Sequence, residues 1–285
     1  MKTNRDKLVE FYLQGPIHAP TMISSYQFTP EGQNVLLPSV GGIVLNYAIG
    51  DNCMELMGDH VEPGVSLKIS DSSENDALMI FSCVGNEAEV VSGEAKGAKG
   101  YVTGTHGGID HTICYFSRED LEKMNIGDSI KIRAFGQGLR LTDHPEVHVM
   151  NLDPDLLDKL GIEEKEGRLQ VPVKAIVPAK LMGSGIGASS AYTGDYDIMT
   201  GDSQLLKELG LDKLCFGDLV FLEDCDTRYG RQFLEGSGTL GIIVHSNCVK
   251  SGHGPGVTSL MSAKDGLLVP KLNNKANLKD YLDLK

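Results

Sequence analysis

The sequence contains no tryptophan, and aromatic residues make up only 6% of its 285 positions. Proteins that stack nucleobases or sugar rings rely on such side chains, so their scarcity argues against those roles. Basic residues are also short: 26 Lys and Arg stand against 39 Asp and Glu, a formal net charge of -13. A surface of that sign repels phosphate backbones and anionic lipid, so neither nucleic acid nor a membrane is an expected partner. No run of about 18 apolar residues is present, so no spanning helix is expected. The opening stretch, MKTNRDKLVEFYLQ, lacks the apolar centre of a signal peptide. None of the six cysteines forms a C-x-x-C pair, so their spacing gives no zinc finger or redox motif. Cys83, Cys114 and Cys215 lie in apolar runs, where a thiol acts as a small hydrophobe. Reduced thiols without an export signal point to the cytoplasm.

Glycine is what the chain has in excess, 34 residues, or about 12% against a usual level near 7%. Many tight turns follow, which suits a β-rich protein. From residue 35 to 150 the text is mostly short strand-like runs bounded by Gly, Pro, Asp or Asn, among them GVSLKIS, ALMIFSCVG, EAEVVSG, GYVTGTH, IDHTICYF and SIKIRAFG. NRDKLVEFYLQG reads as a short helix, and SREDLEKMN as another, with Ser117 and Asp120 forming a capping-box-like start. The polar stretch around HPEVHVMNLDPDLLDKLG marks a lobe boundary near residue 150. A β-rich lobe over 1–150 and a second over 151–285 are expected. The second carries strands LQVPVKAIVPAKLM, DLVFLED, TLGIIVHS and GLLVPKL, and helices SQLLKELG and NLKDYLDLK. SREDLEKMNIGDSIKIRA and DSQLLKELGLDKLCFGDLVFLED both read as capped helix, Gly-Asp turn and strand. The fold class expected is mainly β, with β-barrel-like lobes and a few short helices.

THGGIDHTICYF carries the first chemical signal. If Gly107-Gly108 is a two-residue hairpin loop, His106 pairs with Ile109. His106 and His111 then become diagonal neighbours on one face, roughly 7–8 Å apart at Cα. Imidazoles at that separation can close on one metal ion. On this register the face also carries Val102, Ile113 and Tyr115. The alternative is that backbone carbonyls satisfy both rings, or that the loop leaves them solvated.

LMGSGIGASSAYTGDYDIMTGD, residues 181–202, is the second. Its Gly-x-Gly start is no dinucleotide site, because SSAYTGDYD makes a poor helix. As a functional loop, Gly185 and Gly187 bring backbone N–H donors close to a ligand, and Ser189, Ser190 and Tyr192 add hydroxyls. Asp195 and Asp197 share a face if extended, as a base or a cation site needs. The competing reading is a plain connection whose aspartates cap turns. The third patch is VHSNCVKSGHGPG, with His245 ending an apolar strand and His253 set among glycines and a proline. For His245 a hydrogen-bonded core histidine competes with ligation; for His253 an exposed turn does. Arg228, in DTRYGRQ, could bind a carboxylate, with surface pairing as the alternative. His60, in GDHVEPG, is a weaker turn candidate.

GYVTGTHGGIDHTICYF, VPAKLMGSGIGASSAYTGDYDIMTGD and VHSNCVKSGHGPGV together resemble an uncharacterised prokaryotic domain-of-unknown-function family (4438), over nearly the whole chain. That resemblance implies a largely β architecture in more than one lobe. GSGIG followed by TGDYD is similar in kind to a region of the acetamidase and formamidase family, whose GDxHA pattern is absent here. The expectation is a metal-assisted hydrolase of a small polar amide or cyclic amide. A divalent ion (zinc or similar) is held by His106 and His111 with His245 or His253. Asp195 or Asp197 acts as base or third ligand, His253 joins the catalytic set, and the loop from Gly185 binds substrate with Arg228. The alternative is a non-catalytic small-molecule-binding or assembly protein; a homo-oligomer suits either.

Overall fold

A computed structural model describes residues 1–22, 27–184 and 189–284 of the chain. It is mainly β, as the glycine content and short apolar runs imply. Seven antiparallel strands form the first sheet, in the order Phe11–Pro16, Ser129–Ala134, Glu87–Val90, Lys99–His106, His111–Tyr115, Gly64–Leu67 and Ile43–Val44. The second sheet runs His148–Val149, Gly256–Ala263, Gln232–Ile243, Leu219–Asp226 and Ala175–Val177, and Tyr196–Asp197 also pairs with Gly256–Ala263. Among the described residues, no helix is long and apolar enough to cross a membrane.

The strand His111–Tyr115 is buried at every position, which requires cover on both faces. Ile113 and Tyr115 pack into a core shared with Leu240, Ile242 and Val257 of the second sheet. Cys114 faces the other way, into a core of Val65, Leu78, Ile130 and Ile132. Each such side chain withdrawn from water contributes about 1.5–3 kcal/mol. The first sheet is thus the middle layer, and the end of its His106–His111 hairpin abuts the second sheet. Thr258 fastens that junction: its Oγ1 accepts from Thr105 N–H at 3.3 Å and donates to Thr105 O at 3.1 Å.

Both Gly-Asp turns match in detail. Asp128 Oδ2 accepts from Asn125 N–H, and Asp218 Oδ2 from Cys215 N–H, each at 2.8 Å. Gly127 and Gly217 hold φ of 91° and 80°, which the absence of a Cβ permits.

Several local readings change. ALMIFSCVG is not a strand: Ser72–Phe81 is a helix, because Asp71 caps it by accepting from Ser73 and Glu74 N–H at 3.0 Å. The opening segment is a short 3-10 turn, Arg5–Lys7, followed by the strand Phe11–Pro16, an edge that pairs with Ser129–Ala134. The hairpin after His106 has a four-residue loop, closed by Asp110 N–H donating to His106 O at 2.9 Å. Consequently His106 pairs directly with His111, not diagonally. A bulge between Val102 and Gly104 turns Val102 to the opposite face, beside Cys114. Gly256–Ala263, missing from the strand reading, is a central strand. Its Thr258, Ser259 and Ser262 are wholly buried, so the apolar run that marks a strand was broken by hydroxyls.

Candidate metal centre

Four imidazoles pack together where the two sheets meet. His106 and His245 stack at 4.3 Å between ring centroids, and His60 lies 5.6 Å from His106, 4.9 Å from His245 and 5.7 Å from His253. They come from four separate places. His106 ends a first-sheet strand, His245 follows the strand Gln232–Ile243, His60 lies in a turn, and His253 sits in the glycine loop before Gly256–Ala263. His60 holds φ of 55°, a left-handed conformation unusual for a side chain of its size and a local cost concentrated at functional positions.

The proton positions follow from the partners. His245 Nδ1 lies 2.8 Å from Ser246 O, and a carbonyl only accepts, so Nδ1–H donates. His60 Nδ1 faces Asp59 Oδ2 at 3.1 Å, and His106 Nδ1 faces Glu62 Oε1. With Nδ1 engaged in all three rings, Nε2 is the nitrogen each has left to offer. One ligand atom from each of His60, His106 and His245 lies within 4.8 Å of the others. Carboxylate or carbonyl acceptors that fix the far nitrogen are the usual outer support of histidine-bound metal.

Asp195 and Asp197 complete the cluster. Asp195 Oδ2 is 2.7 Å from His245 Nε2, while its Oδ1 accepts from Gly107 N–H at 2.6 Å. Asp197 Oδ1 is 3.5 Å from the same nitrogen, and its Oδ2 is 2.7 Å from His253 Nδ1. That last contact has ion-pair separation without the angles of a hydrogen bond. Asp195, Asp197 and His245 form a second group whose ligand atoms lie within 4.8 Å, and His60, Cys248 and His253 a third.

Asp59, Glu62, Asp195 and Asp197 are 0%, 1%, 3% and 6% exposed. Among the described residues, every ion pair these four make is to a histidine. Burial opposes charge on Glu62, but His106 and His111 outweigh it and hold the carboxyl well below the usual range. Asp59 and Asp197 are likewise held low against burial, by His60 and by His245 with His253. Burial presses the His60 imidazole down. His245 is also fully buried, yet its hydrogen bond to Asp195 and its pairing with Asp197 raise it well above its ordinary value.

Gly256 makes this crowding possible: a Cβ there would overlap His245 Nε2 and Asp195 Oδ2. On the far side of Glu62, His111 Nδ1 lies 2.8 Å from Oε2, and His111 Nε2 lies 3.2 Å from His18 Nδ1. Gly41 N–H and Ser66 Oγ–H also donate to Glu62.

Of the residues chosen from sequence, the structure brings His106, Asp195, Asp197, His245 and His253 together. His111 is on the same face as His106, but it clasps Glu62 rather than joining any of the three ligand groups. Arg228 grips Asp226 with Nε and Nη2, both at 2.9 Å, the local pairing that competed with substrate binding. Tyr192 Oη pairs with His148 Nε2 at 2.8 Å. Ser190 Oγ accepts from Tyr192 N–H at 3.2 Å, and Ser189 is exposed. Gly185 and Gly187 lie outside the described residues. His60, a weaker candidate from sequence, joins the centre, and Asp59, Glu62 and Cys248 were missed as site residues. The available signal was the run DHVE itself, three ionisable side chains within four residues.

An apolar cavity of about 870 Å³ lies beside the centre, its walls including Pro38, Gly41, Gly58 and Val61. The solved structure titled "Crystal structure of TM1086" is similar to this chain at 47% identity and a TM-score of 0.94, covering 99% of each chain. No curated protein matches the chain. The acetamidase and formamidase likeness gains nothing from these matches. Two family models, the N-terminal and C-terminal parts of a domain of unknown function (DUF4438), match residues 26–158 and 159–282. The chain belongs to the DUF4438 family.

Proposed function

We propose that this protein is a metal-dependent hydrolase of small polar substrates, with an amide or cyclic amide as the class its chemistry suits. The observation that carries this reading is the shared arrangement of His60, His106 and His245. Each has its Nδ1 engaged by an outer acceptor, and all three meet beside two buried carboxylates. Three imidazoles on a divalent ion such as zinc leave a position open for water. Bound there, such an ion would supply a water acidic enough to ionise near neutral pH and would polarise a carbonyl. Asp195 is the base: Gly107 N–H fixes one oxygen, and the other faces the ion's ligand His245. It takes the water's proton and returns it to the departing nitrogen, as hydrolysis of an amide requires.

The six cysteines are all free, which suits a cytoplasmic setting. Exposed Met22, Leu36, Leu45 and Met57 line the cavity and suit self-association. The cavity also favours a second reading, a non-catalytic binder whose ligand raises thermal stability and is recovered unchanged.

The test is turnover of a panel of small amides and cyclic amides before and after chelation, with zinc added back. Wild-type protein should lose turnover on chelation and regain it with zinc, while His106→Ala stays folded and inactive. Turnover indifferent to the chelator, or intact in His106→Ala, would overturn the assignment.

A further inference from the structure

We propose that the centre holds a second metal ion beside the first, with Asp197 bridging the two. The proposal rests on the metal reading above and extends it to the residues that reading leaves unused.

Each imidazole nitrogen offers one lone pair, so His60 and His245 can each serve only one ion. Once they join His106 on the first, Asp197, His253 and Cys248 remain, with His253 close to both of the others. Ligand atoms of Cys248 and His253 lie within 4.8 Å of each other and of His60. Asp197 divides its oxygens between the two sides, Oδ1 toward His245 Nε2 at 3.5 Å and Oδ2 toward His253 Nδ1 at 2.7 Å. The His253 contact is too close for groups that ignore each other, and its angles are not those of a hydrogen bond. Two donors aimed into one space is the arrangement of ligands around an ion. A carboxylate facing two such spaces is how paired ions about 3.5–4 Å apart are commonly linked.

Charge leads to the same place. Four carboxylates are buried here, and among the described residues every ion pair they make is to a histidine. A buried anion needs a compensating cation. A histidine that ligates through Nε2 with a proton on Nδ1 is neutral. One dication therefore leaves an excess of negative charge, and a second removes most of it. The loop carrying Cys248 and His253 is held against Asp197: Ser184 N–H donates to Gly252 O at 2.7 Å, and Ile198 N–H to Pro255 O at 3.0 Å. Gly254 packs so tightly on Ile198 O that a Cβ there would overlap it. A set of one thiolate, one imidazole and one carboxylate suits zinc, cobalt or iron(II) better than magnesium or calcium.

The experiment is metal stoichiometry of the full chain, stripped with a chelator, reloaded with zinc, desalted, and measured by elemental analysis and native mass spectrometry. Wild type should carry about two ions per chain, and a His253→Ala/Cys248→Ser variant about one. If that variant fails to fold by circular dichroism, Asp197→Asn replaces it with the same expectation. Cobalt loading adds a spectroscopic readout, because a thiolate-to-cobalt charge-transfer band should appear in wild type and vanish in Cys248→Ser. One ion in wild type would overturn the second site and leave the hydrolase reading standing. No ion at all would overturn both. Two ions in wild type and variants alike, with no charge-transfer band, would overturn the assignment of these residues.

Discussion

Replacing Gly256 by alanine tests whether His245 and Asp195 must keep their present positions for an ion to bind. The added Cβ would overlap both His245 Nε2 and Asp195 Oδ2. The strand cannot retreat easily. Gly256 O accepts from Val244 N–H at 2.9 Å, Gly256 pairs with Asp197, and its neighbour Val257 pairs with Tyr196 on one side and Ile243 on the other. The ring and carboxylate must therefore move, by at least about 1.3 Å to regain ordinary van der Waals contact. A Zn–N bond of about 2.0–2.1 Å does not survive that displacement. Zinc affinity should fall by about 100-fold, at the upper end of what loss of ligand positioning costs. Overpacking should lower stability by about 1–3 kcal/mol, leaving the protein folded. Competition with a chromophoric chelator gives the affinity, and urea unfolding of the metal-free protein gives the stability. A Gly256→Ala protein that loses stability but binds zinc as wild type does would show that the ion, if any, sits elsewhere.

Glu62→Gln should weaken zinc binding about 10–100-fold in the same competition assay, because His106 and His111 lose the charged acceptor that orients them. Arg228→Ala should leave zinc affinity and turnover unchanged but cost about 1–3 kcal/mol in urea unfolding, since buried Asp226 loses its bidentate partner. Asp71→Ala should cost about 1 kcal/mol in the same unfolding assay through the lost cap of helix Ser72–Phe81, again without touching metal binding.

The β architecture was legible because short apolar runs between glycine turns have few other uses. The helix Ser72–Phe81 was hidden because its apolar end outweighed the capping signal of Asp71. At the site, local geometry carried the reading part of the way: His106 and His111 do share a face, although the turn that brings them there is longer than Gly-Gly suggested. Asp195 could be suspected as a partner, but not that Gly107 N–H would tie it to the hairpin 88 positions away in the chain. His60 looked ordinary because nothing local distinguishes a turn histidine from one whose Nδ1 is held by a buried aspartate. That distinction is made by burial and by residues distant in sequence, which a single chain read in order does not display.

The most direct measurement is X-ray absorption at the zinc edge of the purified protein. In the His253→Ala/Cys248→Ser protein, which keeps only the first ion, scattering from about three imidazoles, with the near shell at about 2.0–2.1 Å, is the expected result, reduced by one ring when His60→Ala is added. A shell of oxygen alone, or an unchanged count of imidazoles in His60→Ala, would contradict the metal centre described here.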